Sequence, residues 1–232
     1  MSVLRRLAFA GVLATSLFTA PGFAADPYLT GKMLDLTVLV PPPPAKGSEA
    51  DKADMQAVLD AQAHASDARK AQAFADSDET VFVAFTSVFG QGFKPEAMPK
   101  ASLFFERIGD SEDDTLDAAK PFFGRVRPWL ANPEVKPIAK QTKSGSYPSG
   151  HTTRVAIYAT MLAMMVPEQK EAIWARAVDY AQSRVIGGMH YPTDLLAGWR
   201  TGAAMAAVML QSPAFRADFE AAKGEVRAAS GK

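Results

Sequence analysis

Hydrophobic side chains recur along most of this chain with the spacing of α-helices. Residues 79–90, for example, place apolar side chains at positions i, i+1, i+4, i+7 and i+8, starting from Val81. Ser48 and Asp78 are suitable N-caps, and Pro167 and Pro213 suit the first turn of a helix. We find no alternating pattern typical of strands, so the predicted fold class is all-α. The predicted helices cover residues 53–74, 79–90, 101–110, 113–123, 149–165, 167–187, 192–210 and 213–229.

Two segments between these helices have polar or proline-rich composition. The acidic run at residues 110–114 is interpreted as a turn between two helices, with carboxylates capping the second one. Residues 127–148, rich in proline, lysine and glycine, are expected to be irregular. Four successive prolines, Pro41 to Pro44, indicate an extended polyproline II connector on the surface.

The N-terminus has the features of a secretory signal peptide. Arg5 and Arg6 precede an apolar run over residues 7–20, and small residues follow up to Ala24, where cleavage is expected. An uncleaved membrane anchor is the alternative, but a span needs roughly 20 apolar residues. The predicted organisation is therefore a signal peptide at residues 1–24, an extended proline-rich segment at 25–47 and one helical domain at 48–232, located in the periplasm.

Composition narrows the possible functions. The formal net charge of the chain is zero, and removing the two leader arginines makes it slightly negative, so nothing draws the whole protein toward nucleic acid. Any bound anion must then be held by a local cluster of cations. The chain has no cysteine, which excludes disulfides and cysteine-based metal sites.

Three short segments carry residues suited to phosphate chemistry. In "KPFFGRVRP", Lys120 and Arg127 are seven residues apart, which on a helix would place both cations on one face. In "YPSGH", Ser149 and Gly150 lead into an apolar helix whose first N–H groups lack internal partners. Such a helix start favours anions, and glycine lets a ligand approach the backbone. His151 follows directly, although the chain has only three histidines.

The third segment, "SRVIGGMHYPTD", supplies Arg184, His190 and Asp194. Arginine donates paired hydrogen bonds to phosphate oxygens. A carboxylate bonded to one imidazole nitrogen fixes the tautomer and leaves the other nitrogen free to attack phosphorus. The second histidine, His151, can protonate the departing alkoxide. Each segment alone is also explained by a helix cap, a turn or a solvated face, but the three together point to one site.

The order and spacing of these residues resemble the signature of the type 2 phosphatidic acid phosphatase superfamily. Within it, "PPPPAKGS", "DAAKPFFGRVRP", "SYPSGHTT" and "SRVIGG" resemble the bacterial class A non-specific acid phosphatases. The likeness extends over nearly the whole chain after the leader. The matching positions are Lys120, Arg127, Pro128, Pro148, Ser149, Gly150, His151, Ser183, Arg184, His190 and Asp194.

The resemblance implies a single-domain helical bundle of the kind shared with vanadium haloperoxidases. It implies that His190 is a nucleophile forming a phosphohistidine, that Asp194 orients it, and that His151 is the general acid and then the base. The phosphoryl oxygens would be held by Lys120, Arg127, Ser149, Gly150 and Arg184. The implied substrates are small phosphate monoesters, with phosphotransfer to alcohols as a side activity. No metal, other cofactor, nucleic acid polymer or stable membrane association is expected, and assembly as a homo-oligomer is left open.

Three other functions fit parts of the sequence. A vanadate-dependent haloperoxidase uses a near-identical pocket, but the small size and the predicted leader argue against it. A lipid-phosphate phosphatase usually presents its substrate between membrane helices, which this sequence does not predict. A non-catalytic phosphate-binding protein would keep the cations but would not need the two histidines and the carboxylate.

Overall fold

The computed structural model describes residues 26–139 and 141–231, and the predicted signal peptide lies outside these ranges. Within them the chain forms α-helices joined by loops and contains no strand, so the all-α prediction is confirmed. Two 3₁₀ turns, Pro95–Ala97 and Pro167–Gln169, precede α5 and α8. The helices are α1 Leu36–Leu39, α2 Glu49–His64, α3 Asp67–Ala75, α4 Val81–Phe89, α5 Pro99–Phe123, α6 Pro128–Ala131, α7 Gly150–Met165, α8 Lys170–Ile186, α9 Pro192–Met209 and α10 Pro213–Ala229.

Side-chain caps explain where the helices begin. The Ser48 hydroxyl accepts a hydrogen bond from the Asp51 N–H at 3.2 Å, as its capping position predicts. The alanine-rich stretch after it forms two helices, not one, because Ser66 caps a second start by accepting from the Arg69 N–H at 3.2 Å. Helix α4 begins after Thr80 and not after Asp78, since the Thr80 hydroxyl supplies the cap.

Helix α5 differs most from the sequence prediction. It is one continuous helix of 25 residues, so the interpretation of the acidic run as a turn is wrong. Glu112, in the middle of that run, is buried and forms an ion pair with Arg154, with Oε2 and Nη2 2.6 Å apart. Pro121 lies in the last turn, where a missing N–H costs few helical bonds. The helix ends at Gly124, whose φ of 58° is left-handed, so Arg127 does not share a helix face with Lys120.

Helix α7 lies at the centre of the bundle and packs against α9, α8 and α5. The approach of α9 is close because it carries Gly198 and Gly202. A Cβ at Gly202 would lie 2.6 Å from the Thr153 carbonyl oxygen, and one at Gly198 would lie 2.8 Å from the Ser149 carbonyl oxygen. This packing brings the N-terminus of α7 beside the first turn of α9.

The segment before α2 packs onto the bundle. Tyr28 and Leu29 are buried, and the Tyr28 N–H donates to the Ser111 hydroxyl at 2.8 Å. The Pro41 carbonyl accepts a hydrogen bond from the Tyr147 hydroxyl at 2.5 Å, which ties the proline run to the loop before α7. In the described ranges, none of the helices combines the length and the hydropathy that crossing a bilayer requires.

Candidate active site

The three segments singled out in the sequence meet around one cavity of about 490 Å³. Lys120 comes from the end of α5, and Arg127 comes from the loop before α6. Helix α7 contributes Gly150 and His151 at its N-terminus. Ser149 and Asp194 are fully buried just behind the cavity wall. The remaining predicted site residues, Arg184 near the end of α8 and His190 in the loop after it, also line the cavity.

The cavity contains cations that form no direct ion pair with a carboxylate, although Glu79, Glu112, Asp113 and Asp117 also line it. Among the described residues, no carboxylate oxygen lies within 4.0 Å of Lys120, Arg127 or Arg184. Burial, followed by the charge of Arg184, lowers the pKa of Arg127 to about 10, and burial also lowers those of Lys120 and Arg184. Such lowering means that the charges are held at an energetic cost, which a bound anion would relieve.

The two arginines differ in what holds them. Arg127 donates to the carbonyl oxygens of Ser144 at 2.8 Å and Gly145 at 3.1 Å, so its fork is fixed by the loop before α7. Arg184 is only 3% exposed, and its Nε has no hydrogen-bond partner among the described residues. Its closest polar contact is a long one, 3.5 Å from Nη1 to the Ser77 hydroxyl. A buried donor without a partner is costly, so Arg184 is poised for a ligand.

The N-terminus of α7 faces the same cavity. Ser149 caps the helix by accepting from the Thr152 N–H at 3.4 Å, and its own N–H donates to the Asp194 carbonyl at 3.1 Å. The N–H groups of the first helical turn have no acceptor within the helix, so they can bind an anion. A side chain at Gly150 would lie 2.9 Å from Glu112 Oε1 and 3.6 Å from Lys120 Nζ. Only glycine at position 150 therefore leaves space for a ligand between the start of α7 and Lys120.

The partners of His190 identify the nitrogen that carries its proton. Nδ1 lies 2.8 Å from the Ser146 carbonyl oxygen and 3.4 Å from Asp194 Oδ2, which are both acceptors when Asp194 is ionised. Nε2 lies 3.1 Å from Arg127 Nη1, which can only donate. Nδ1 therefore carries the proton and Nε2 keeps its lone pair. Burial and the charges of Arg127 and Arg184 hold the pKa of His190 well below 6.5, so the ring is neutral.

Asp194 contacts Arg125 and Ser146 more closely than it contacts His190. Its carboxylate accepts from Arg125 Nη1 at 2.6 Å, from the Ser146 hydroxyl at 2.6 Å and from the Tyr191 N–H at 2.9 Å. Burial raises its pKa to about 6, although Arg125 and the other donors oppose that rise. Arg125 in turn donates to Asp54 at 2.7 Å, which fixes the guanidinium behind the site.

His151 also has a carboxylate partner. Its Nδ1 lies 2.6 Å from Glu79 Oε1, and its Nε2 lies 3.2 Å from the Ser77 carbonyl oxygen. The other oxygen of Glu79 is 2.8 Å from Arg154 Nη1, so one carboxylate bridges both side chains. Burial and Arg184 lower the pKa of His151 from 6.5 to about 4, while Glu79 acts to raise it.

Comparison with known proteins gives the same family as the motif. Residues 114–218 match the model of the PAP2 superfamily. A non-specific acid phosphatase of Providencia stuartii is 31% identical over 200 residues, which are 83% of this chain and 81% of that protein. This chain belongs to the PAP2 superfamily. A second relative, a non-specific acid phosphatase of Salmonella typhi, is 31% identical over 185 residues, covering 76% of this chain and 74% of the relative.

A solved structure is also similar to this PAP2 chain. It is a transmembrane PAP2-type phosphatidylglycerolphosphate phosphatase from Bacillus subtilis, with 20% sequence identity and a TM-score of 0.49. The match covers 71% of this chain and 87% of the other. At this level of likeness the structure gives no guide to substrate.

Some residues of this PAP2 site were missed by sequence reasoning. Glu79 lies in a loop before α4, 72 positions from His151, and nothing in the local pattern marks it. Arg125 lies between Lys120 and Arg127 in the sequence and is not among the predicted site residues. Its sequence neighbourhood does not reveal that its partners are Asp54 and Asp194.

Proposed function

We propose that this protein is an acid phosphatase that hydrolyses small phosphate monoesters through a phosphohistidine. The observation that carries the proposal is a set of cations without a directly paired carboxylate, the buried Arg127 and Arg184 and the partly buried Lys120. They lie beside Nε2 of a neutral His190, which keeps its lone pair. A dianionic phosphoryl group matches this charge, and a histidine nucleophile would stand at its edge. Family membership and the two acid phosphatase relatives support the same reaction.

The first step transfers the phosphoryl group to His190. The Nε2 lone pair forms a bond to phosphorus while the bond from phosphorus to the ester oxygen breaks, and that bond's electrons stay on the oxygen. A proton from His151 neutralises the departing alkoxide. Arg127, Arg184 and the first-turn N–H groups of α7 stabilise the negative charge on the other phosphoryl oxygens.

The second step returns the enzyme to its starting state. Water attacks the phosphohistidine, its proton passes to His151, and the phosphorus–nitrogen bond breaks with the electron pair returning to Nε2. An alcohol that fits in place of water would take the phosphoryl group, which is the expected phosphotransferase side activity. The Nδ1 proton stays with the Ser146 carbonyl and Asp194 throughout.

The protonation states required favour acidic pH. His190 must be neutral to attack, and His151 must be protonated to assist the leaving group. The pKa of His151 is lowered to about 4, and that of His190 is lowered well below 6.5. Since His151 loses its proton as the pH rises, kcat/KM should fall on the alkaline side.

The proposed location is the periplasm, reached through the predicted signal peptide. The features that support it are the arginine pair, the short apolar run and the small residues before Ala24. Phosphate esters too polar to cross the inner membrane would be the substrates available there.

The experiment that tests the reaction is a phosphate-ester panel assayed at several pH values with excess chelator. Hydrolysis of several esters at acidic pH, undiminished by the chelator, is expected. Acid quenching during turnover should trap phosphorus on His190, and His190→Ala should abolish both turnover and trapping because no attacking nitrogen remains. Turnover that survives in His190→Ala would refute the mechanism.

A further inference from the structure

The proposed general acid, His151, has a carboxylate partner of its own, Glu79. Glu79 contacts the imidazole at 2.6 Å, a much closer carboxylate contact than the 3.4 Å between His190 and Asp194. The two distances suit two different tasks. A nucleophile must be neutral, so a distant carboxylate suffices to fix its tautomer, whereas a general acid must hold a proton until the leaving group needs it.

Glu79 is itself held in place. Arg154, only 8% exposed, donates to the second carboxylate oxygen of Glu79 at 2.8 Å. Burial alone would raise the pKa of Glu79, but the hydrogen bond from His151 and the neighbouring positive charges lower it to about 2. The carboxylate is therefore ionised throughout the acidic range in which the enzyme is expected to work.

The environment of His151 otherwise disfavours a charged ring. The ring stacks near Tyr180, with centroids 6.2 Å apart, and is only partly exposed. The charged or titratable groups that contact the ring or line the same cavity are Glu79 from the loop before α4, Glu112, Asp113, Asp117 and Lys120 from α5, Arg127 from the loop before α6, Tyr180 and Arg184 from α8, and His190 from the α8–α9 loop. Arg154 from α7 lies behind Glu79 and contacts its second carboxylate oxygen. Among these, Glu79 is the anion that touches the ring.

We infer that Glu79 is a positioning residue for the general acid: it holds Nδ1–H of His151 so that Nε2 delivers the proton to the leaving group. This inference rests on the proposed function. The resting partner of Nε2 is the neutral Ser77 carbonyl at 3.2 Å, which a leaving-group oxygen can replace. As the phosphorus–oxygen bond breaks, the Nε2 proton moves to that oxygen, and Glu79 stabilises the protonated ring until then.

The test compares Glu79→Gln and Glu79→Ala with Asp113→Asn as a matched control. Asp113 also contacts Arg154, at 2.7 Å, but it does not contact His151. Glutamine keeps an acceptor for Nδ1–H without the charge, and alanine removes both.

For alkyl phosphates, Glu79→Ala should lower kcat at least ~10-fold. This loss is a part of the roughly 10²–10⁴-fold rate acceleration that a general acid provides. Nitrophenyl phosphate should lose much less, since its leaving group needs little protonation. Glu79→Gln should fall between wild type and Glu79→Ala.

A second readout does not depend on turnover. Because the chain has three histidines, side-chain ¹⁵N spectra can follow His151 through a pH titration, with exposed His64 as an internal reference. Glu79→Gln should lower the pKa of His151 by about one unit, since an anion in direct contact is removed. Asp113→Asn should change it by less than half as much.

The outcomes separate the two proposals. Equal losses for alkyl and nitrophenyl phosphates, or an unchanged His151 titration in Glu79→Gln, would overturn the role of Glu79. So would a shift in Asp113→Asn as large as that in Glu79→Gln. If wild-type protein hydrolysed no ester, the proposed function would fail, while the ¹⁵N titration would still report the contact between Glu79 and His151.

Discussion

At the scale of single residues, the site is organised by which atoms can only donate and which can only accept. His190 has acceptors at Nδ1 and a donor at Nε2, so the nitrogen that attacks in the proposed mechanism already carries its lone pair. Arg184 differs, because its buried Nε donor has no hydrogen-bond partner within residues 26–139 and 141–231. Under the proposed function, an arriving phosphate would accept a hydrogen bond from Arg184 and compete with Nε2 of His190 for Arg127 Nη1, which lies 3.1 Å from that nitrogen.

The proposed role of His151 as general acid predicts that the effect of removing it depends on the leaving group. His151→Ala should slow hydrolysis of alkyl phosphates by about 10²-fold or more, because the alkoxide leaves without a proton. Nitrophenyl phosphate should be slowed much less, since its phenolate is a stable leaving group. Rates for a series of esters, plotted against leaving-group acidity, check this. A uniform loss across the series would contradict an acid role for His151.

At the scale of helices, the site depends on how closely α9 packs against α7. Ser149 and His151 stand at the start of α7, and Asp194 stands in the first turn of α9. The Ser149 N–H donates to the Asp194 carbonyl at 3.1 Å, so the two helix starts are directly linked. The glycines of α9 permit the approach that makes this link.

Gly202→Ala should therefore damage both stability and activity. The added Cβ would lie 2.6 Å from the Thr153 carbonyl oxygen and 2.6 Å from Ala156 Cβ, so α9 must move. We expect a loss of about 1–3 kcal/mol in the free energy of unfolding, measured in urea. A fall in kcat/KM should accompany it.

Gly224→Ala on α10 is the matched control, because a Cβ there would have no atom within 4 Å. It should leave activity unchanged and raise the free energy of unfolding by up to about 1 kcal/mol, through higher helix propensity alone. Equal losses in the two variants would show that crowding at Gly202 is not the cause.

Sequence pattern predicted several helix starts and six of the residues that line the cavity, because both carry local chemical signals. Ser48 and Pro213 affect only backbone groups within one helical turn, so their effect can be predicted from the neighbouring residues in the sequence. The continuity of α5 could not be read that way. Glu112 resembles a solvent-exposed acid in sequence, and only its pairing with Arg154, 42 positions away, explains why it is buried inside a helix.

At the scale of the whole molecule, burying Glu112 links stability to pH. Burial raises its pKa from 4.5 to about 7, and the Arg154 guanidinium beside it is shared with two other carboxylates, Glu79 and Asp113. The folded protein thus binds this proton more tightly than the unfolded chain. The resulting stability is fully present below pH 4.5 and is lost as the pH rises toward 7.

Glu112→Gln should remove this dependence. Relative to wild type, the variant should gain about 3 kcal/mol in the free energy of unfolding between pH 4.5 and pH 8, the value expected for a shift of this size. Urea unfolding of both proteins across that range measures the difference. The hypothesis fails if the difference between the two proteins stays constant with pH. Asp113→Asn, at an exposed partner of the same guanidinium, should change stability by less than about 1 kcal/mol.

The bonds of Asp194 also have a consequence for how the enzyme forms. This one residue joins the loop after α5 through Arg125, the loop before α7 through Ser146 and Ser149, and its own α8–α9 turn. Helices can form early from local contacts, but these links close only when distant parts of the chain have met. During refolding from denaturant, the far-ultraviolet helical signal should therefore return before catalytic competence does, and the recovery of turnover would time the last long-range assembly of the chain.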